Sequence, residues 1–209
     1  MSKKKINEGN CCICGKSGKL SFEHIPPRAA FNDKPIYVQS YDQLLEENSR
    51  HFGKKSKNNK GFGGYTLCQN CNNNTGSWYG KDFTNFAQQG MSIIKDFKTP
   101  FFVTGLYDIK PLNVVKQILS MFMSADKSGH LSSQKELVDF ILIKELTEIP
   151  KKYKIFLYSN FSLTRRLIGH SIVYLGNQGI HKWSEINFKP FGYFFTEESE
   201  PADKSMCDI

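Results

Sequence analysis

Residues 11–27, CCICGKSGKLSFEHIPP, set a C-x-x-C pair, a short alternating run and a Glu-His dipeptide in front of two prolines, and residues 65–72, YTLCQNCN, bring a second C-x-x-C pair. The remaining cysteine, Cys207, stands alone near the end. Five cysteines in two tight groups are not a disulfide framework. They read as a four-thiolate zinc site, because each pair offers two corners of a tetrahedron from one tight turn. A redox C-x-x-C comes singly and opens a helix after a buried strand, which makes it the weaker alternative. Cys11, Cys14, Cys68 and Cys71 have the ligand spacing, and Cys12 is either a spare packed thiol or a substitute ligand.

Outward from the first pair, GKSGKLSFEH reads as a turn and a strand, with Leu20 and Phe22 on one side and Ser21 and Glu23 on the other. The strand ends at His24, since Pro26 and Pro27 lack the amide donors a sheet requires. Residues 28–64 form a long connection with one short helix at YDQLLEEN and a basic, turn-forming stretch, GKKSKNNKGFGG. YTLC is a second short strand. The residues after Cys71 turn helical, with Phe83, Phe86, Gly90, Ile93 and Phe97 on one apolar face. The order is strand, long connection, strand, helix, with a zinc site tying the start of the first strand to the strand–helix junction.

The second half opens with an extended linker at 99–111 and an amphipathic helix at 112–125. A second helix is expected from a capping box of Ser133 and Glu136 to about residue 146. Strands follow near 153–161, 167–176 and 185–196, where β-branched and aromatic residues concentrate, and the polar tail from residue 196 reads as frayed. The fold class is α+β: a zinc-braced strand–strand–helix unit at 1–98, then an α+β module at 99–209 with two helices and an antiparallel sheet.

The formal charge is +8, and residues 1–100 hold 15 Lys and Arg against 8 Asp and Glu, so nearly all the surplus lies in the first half. A localised surplus suits a polyanionic partner, because cations that neutralise phosphates gain affinity from counterion release. No apolar run approaches the roughly 20 residues that span a bilayer, and no apolar segment follows the N-terminal lysines. The expectation is a cytoplasmic protein with no membrane partner.

Glu23 and His24 close the first strand, and Asn72 directly follows Cys71. With the strand ends pinned by zinc, His24 and Asn72 are brought face to face. The carboxylate of Glu23 and the amide oxygen of Asn72 are hard ligands, suited to Mg²⁺ rather than zinc.

This arrangement resembles the HNH, or His-Me finger, endonucleases, in their zinc-containing branch that includes phage Holliday-junction resolvases. The matching elements, in order, are Cys11 to Cys14, EHIPP and YTLCQNCN, within roughly residues 11–80. The resemblance implies a ββα-metal finger in which His24 is the general base that activates a water, Glu23 and Asn72 bind a catalytic Mg²⁺ or Mn²⁺, and Cys11, Cys14, Cys68 and Cys71 hold a structural Zn²⁺. It implies phosphodiester hydrolysis in nucleic acid, DNA before RNA, leaving 5′-phosphate and 3′-hydroxyl ends. In one respect the chain departs from the pattern: the asparagine that usually braces the histidine loop, a few residues before the second C-x-x-C, is replaced by GFGGY, with Asn58 and Asn59 the nearest substitutes.

Other residues are weighed against plainer roles. Arg28 is placed to reach a phosphate, and Lys54 and Lys55 add general phosphate affinity in a solvated loop. Trp78 and Tyr79 read as core before base-stacking, and His51, His130, His170 and His181 have no catalytic context. Asn72 competes with a bland role as helix cap. The alternatives to a nuclease are a non-catalytic zinc-finger nucleic-acid binder and a zinc-scaffolded protein-interaction domain; a homodimer is one assembly the chain allows.

Overall fold

The computed structural model describes residues 7–96, 105–174, 176, 179–201 and 205–209. Its helices and antiparallel sheets make a mixed α+β fold. Strands β1 (Glu8–Asn10), β2 (Ser17–His24) and β5 (Gly63–Cys68) form one sheet in the order β1-β2-β5. The long connection between β2 and β5 carries its own small hairpin, β3 (Ile36–Val38) with β4 (Ser56–Asn58), around the short helix α1 (Tyr41–Leu45). Neither β1 nor this hairpin is expected from the sequence pattern.

The β2–β5 ladder shifts register between Ser21 and Phe22, so that Thr66 is an extra residue in β5. Thr66 turns its carbonyl to the amide of Cys12, 2.8 Å away, which fastens the first cysteine turn to β5. Beyond β5 the chain enters α2 (Gln69–Trp78), breaks at Tyr79, and continues as α3 (Gly80–Asp96). The single helical run expected here is therefore two helices. Phe83 and Phe86 of the expected stripe are buried, and Phe97 lies outside the described residues.

Helix α4 (Pro111–Ala125) begins with Pro111 in its first turn, where a missing amide donor costs nothing. It is buried nearly all round from Val114 to Ala125, as a helix must be when it is covered on several sides. Ser124 meets Thr66 of β5 on one side, and Phe122 packs on Phe195 on the other, ring centroids 5.4 Å apart. Lys116 is fully buried and spends its ammonium on the carbonyls of Ile143 and Lys144, at 2.8 and 3.1 Å.

The C-terminal sheet has the order β10-β6-β9-β8-β7, all antiparallel, from β6 (Tyr153–Ser159), β7 (Arg166–Tyr174), β8 (Ile180–Phe188), β9 (Phe191–Glu197) and β10 (Cys207–Asp208). The expected strand at 185–196 is two strands, turned at Lys189-Pro190, because Pro190 cannot donate in mid-ladder. The tail is not wholly frayed, since Cys207–Asp208 pairs with Phe156 and Leu157.

The second helix of this half, α5 (Lys135–Leu142), follows a 3₁₀ turn (Leu131–Ser133) and stops short of the expected end near 146. Its capping box does not form. Ser133 Oγ donates to the carbonyl of His130 at 2.6 Å, and Glu136 pairs with Lys152 at 2.6 Å. The expected division at 98/99 and the start of the linker lie outside the described residues. Side chains from both sides of it share one core: Phe86 stacks on Phe191 at 4.6 Å, and Phe83 meets Tyr193 at 5.9 Å. Among the described residues, no helix is long and apolar enough to cross a membrane.

Candidate functional site

Cys11, Cys14, Cys68 and Cys71 converge, with their sulfurs within 4.8 Å of one another and Cys14 3.9 Å from Cys68. The first two come from a turn closed by Gly15 N to Cys11 O at 2.8 Å, with Gly15 in the left-handed region at φ 70°. The second two straddle the start of α2, whose N-cap is Cys68. This set can hold a zinc ion in tetrahedral thiolate coordination. Cys12 is not part of it; burial pushes its thiol up to about 11. The contact with Cys71 pulls Cys11 down to about 4, while the same contact, with burial, pushes Cys71 well above the usual thiol range. Crowded thiols of this kind ionise together only around a cation.

Glu23, His24 and Asn72 line one cleft of about 460 Å³, together with Arg28, Lys81 and Gln117. Asn72 is not the helix cap. It lies inside α2 and donates from Nδ2 to Ser21 Oγ at 2.9 Å and to the Phe22 carbonyl at 3.2 Å. Ser21 in turn donates to Leu67 O at 2.8 Å. These bonds lock α2 across both strands, and they leave the Asn72 amide oxygen without a hydrogen-bond donor among the described residues. The polar side of β2 is thus the side covered by α2.

Glu23, on that side, is only 9% exposed. Among the described residues no cation pairs with it, and burial pushes its carboxyl up to about 7. Gln117, from α4, is 1% exposed, and its Oε1 has no hydrogen-bond partner among the described residues. A buried carboxylate and a buried orphan amide oxygen beside one cleft are a hard-oxygen donor set without a partner.

His24, at the end of the strand, is half-buried and lines the same cleft, its ring edge-on to Phe22 at 4.9 Å. Burial holds its imidazole below the ordinary range; a hydrogen bond to the Lys60 backbone opposes this, and the charges of Arg28 and Lys60 add to it. The ring is therefore neutral at pH 7, the form that accepts a proton. Lys60 is anchored to Tyr65 Oη at 2.6 Å and lies over the rings of Phe22 and Tyr65. Arg28 is exposed at the cleft mouth, whereas Lys54 and Lys55 are exposed in the connection and do not line the cleft. Tyr79 is core, donating to Ile141 O at 2.8 Å, and Trp78 is half-buried under Lys144.

The brace of the histidine loop comes from neither Asn58 nor Asn59. Asn32, 1% exposed, donates from Nδ2 to Pro26 O and Phe62 O and accepts from Phe62 N, each at 2.7 Å. The segment before β5 passes so close that a Cβ on Gly61 would lie 2.5 Å from Asn32 O, and one on Gly63 would lie 2.0 Å from Glu23 O. Both glycines have φ in the left-handed half of the map, 86° and 155°. The GFGGY stretch is thus a backbone fitted against the brace and against Glu23. Asn58 sits in β4 and accepts from the amide of Lys60. No protein-family model, curated protein or solved structure matches the chain.

Proposed function

We propose that this protein is a metal-dependent endonuclease of the HNH type that hydrolyses phosphodiester bonds, with DNA as the favoured substrate. The observation that carries this reading is the meeting, in one cleft beside a four-cysteine cluster, of a half-buried histidine, a buried carboxylate that pairs with no cation among the described residues, and a helix asparagine. Strand, strand and helix arrive in the order that the resemblance implies.

Glu23, Asn72 Oδ1 and Gln117 Oε1 are hard oxygen donors, which fit Mg²⁺ or Mn²⁺. When bound, such an ion would stabilise charge on the phosphate and on the leaving oxygen. His24 takes the proton of the attacking water; its neutral ring and edge contact with Phe22 hold it ready for that transfer. Arg28 and Lys81, at the cleft edge, attract and orient the phosphate. Zinc at the four cysteines would keep the first turn of α2 fixed against β2 and so hold Asn72 in register with Glu23. Lys54 and Lys55 add phosphate affinity away from the reacting group.

Divalent-metal dependence separates this reading from a zinc-finger binder. Zinc-loaded protein is incubated with supercoiled plasmid in Mg²⁺, Mn²⁺ or EDTA, and binding is measured across a salt series. Nicking or linearisation only with divalent metal is expected. Salt-sensitive binding with no cleavage of DNA or RNA would instead favour the non-catalytic binder.

A further inference from the structure

Away from the cleft, His130, His170 and Glu197 converge from three segments: the turn before the 3₁₀ helix, strand β7 and the end of β9. Their donor atoms lie within 4.8 Å of one another. His130 Nε2 is 2.9 Å from Glu197 Oε2, and the two imidazoles stack at 4.2 Å with an interplanar angle of 10°. We propose that these three residues form a second metal site, for a divalent ion of the imidazole-binding class such as Zn²⁺.

Several features of the backbone build the site. The β7–β8 ladder loses register between Ile168 and Ser171, so β7 carries an extra residue at the Gly169–His170 step. A bulge of this kind re-aims a side chain. Gly169 allows β7 to press on the end of α4, where a Cβ would lie 2.6 Å from Ala125 O. The bulge delivers His170 with both ring nitrogens buried and no hydrogen-bond partner among the described residues. Buried polar atoms are rarely left so, and an orphan imidazole beside a second imidazole and a carboxylate is a ligand set.

The third member is oriented from behind. Lys182 Nζ lies 3.3 Å from Glu197 Oε1, which leaves Oε2 facing the histidines. The carboxylate of Asp126, which adds negative charge near His170, is committed to the amides of Ser128 and Leu131. The contact between His130 and Glu197 holds a proton in the position where an ion would join them. Metal uptake moves that proton to solvent or to His130 Nδ1 and turns a nitrogen of His170 toward the ion. Three protein ligands leave a fourth position for water. The ion would pin the turn after α4 to β7 and β9, and so fix the sheet against the helix that also carries the Ser124–Thr66 contact. The site does not touch the Glu23–His24 cleft, and its existence is independent of the nuclease reading.

The test is zinc stoichiometry of the full chain by equilibrium dialysis with elemental analysis, and melting temperature with and without added Zn²⁺. Wild type is expected to hold two ions per chain, the second one raising the melting temperature. His170→Ala and Glu197→Gln are expected to weaken that second ion at least about tenfold and to abolish its thermal shift while the four-cysteine ion stays. His130→Ala alters a side chain that is 29% exposed, so it keeps the fold and gives the same readout if the other variants do not fold. One ion per chain in saturated wild type, or two ions with unchanged affinity in folded variants, would overturn the proposal.

Discussion

Asn32 clasps the backbone of Phe62 from both directions, its Nδ2 donating to the carbonyl and its Oδ1 accepting from the amide, each at 2.7 Å. The same Nδ2 reaches Pro26 O, so one buried side chain joins the loop after His24 to the segment entering β5. His24 is held by a non-local contact across the long connection.

Replacing Asn32 by Ala leaves these backbone groups buried without partners. The expected loss is about 3–5 kcal/mol, read as a lower denaturant midpoint, with zinc retained in the fraction that stays folded. An Asn32→Ala protein as stable as wild type would mean that the clasp carries no weight.

Glu23 sets a pH dependence. Its folded carboxyl is pushed up to about 7, from an ordinary value of 4.5, by burial. Below the ordinary value both states are protonated and nothing is lost. As pH rises from there to about 7 the unfolded chain ionises first, so stability falls through that window and stays reduced above it. Glu23→Gln therefore matches wild type near pH 4 and exceeds it at pH 8, on the order of 1–3 kcal/mol, in metal-free thermal melts. Added Mg²⁺ raises the melting temperature of wild type and not of Glu23→Gln.

The two cysteines of the CC step differ in role. Cys11→Ala is expected to lose the structural ion and the fold of the N-terminal unit, since small thiolate-braced units rarely persist without metal. Cys12→Ala keeps a full zinc equivalent, because its sulfur lies outside the cluster. Elemental analysis of the two purified variants distinguishes them.

Gly63→Ala would drive a methyl to within 2.0 Å of the Glu23 carbonyl. The strand pair must open to accept it, and the expected cost is about 2–4 kcal/mol. Gly76→Ala, where nothing lies within reach of a Cβ, is the control expected to leave stability unchanged or slightly raised.

What was legible in the chain followed from local chemistry. Paired cysteines and the proline stop after His24 located β2, the four-cysteine cluster and the strand–helix junction. Asn72 was visible as a candidate, and only its contacts with Ser21 and Phe22 distinguish it from a cap. Non-local features were not legible. Asn32 carries no periodic or motif signal and acts on a residue 30 positions away. Gln117 looks like any polar residue of a helix until the helix is buried. His170 gains its meaning from a bulge that no alternation pattern marks. The Ser133–Glu136 box failed because nearer partners, the His130 carbonyl and Lys152, took both side chains. Pro190, in contrast, was a local signal that already argued against one continuous strand at 185–196.

The most direct test of the central claim is single-turnover cleavage of a labelled DNA duplex in Mg²⁺ by wild type and by His24→Ala, with DNA affinity measured for both in Ca²⁺. The account predicts metal-dependent cleavage by wild type, a loss of about 10²- to 10⁴-fold in His24→Ala, and affinities that stay alike. Equal cleavage rates for the two proteins would contradict the assignment of His24 as the base.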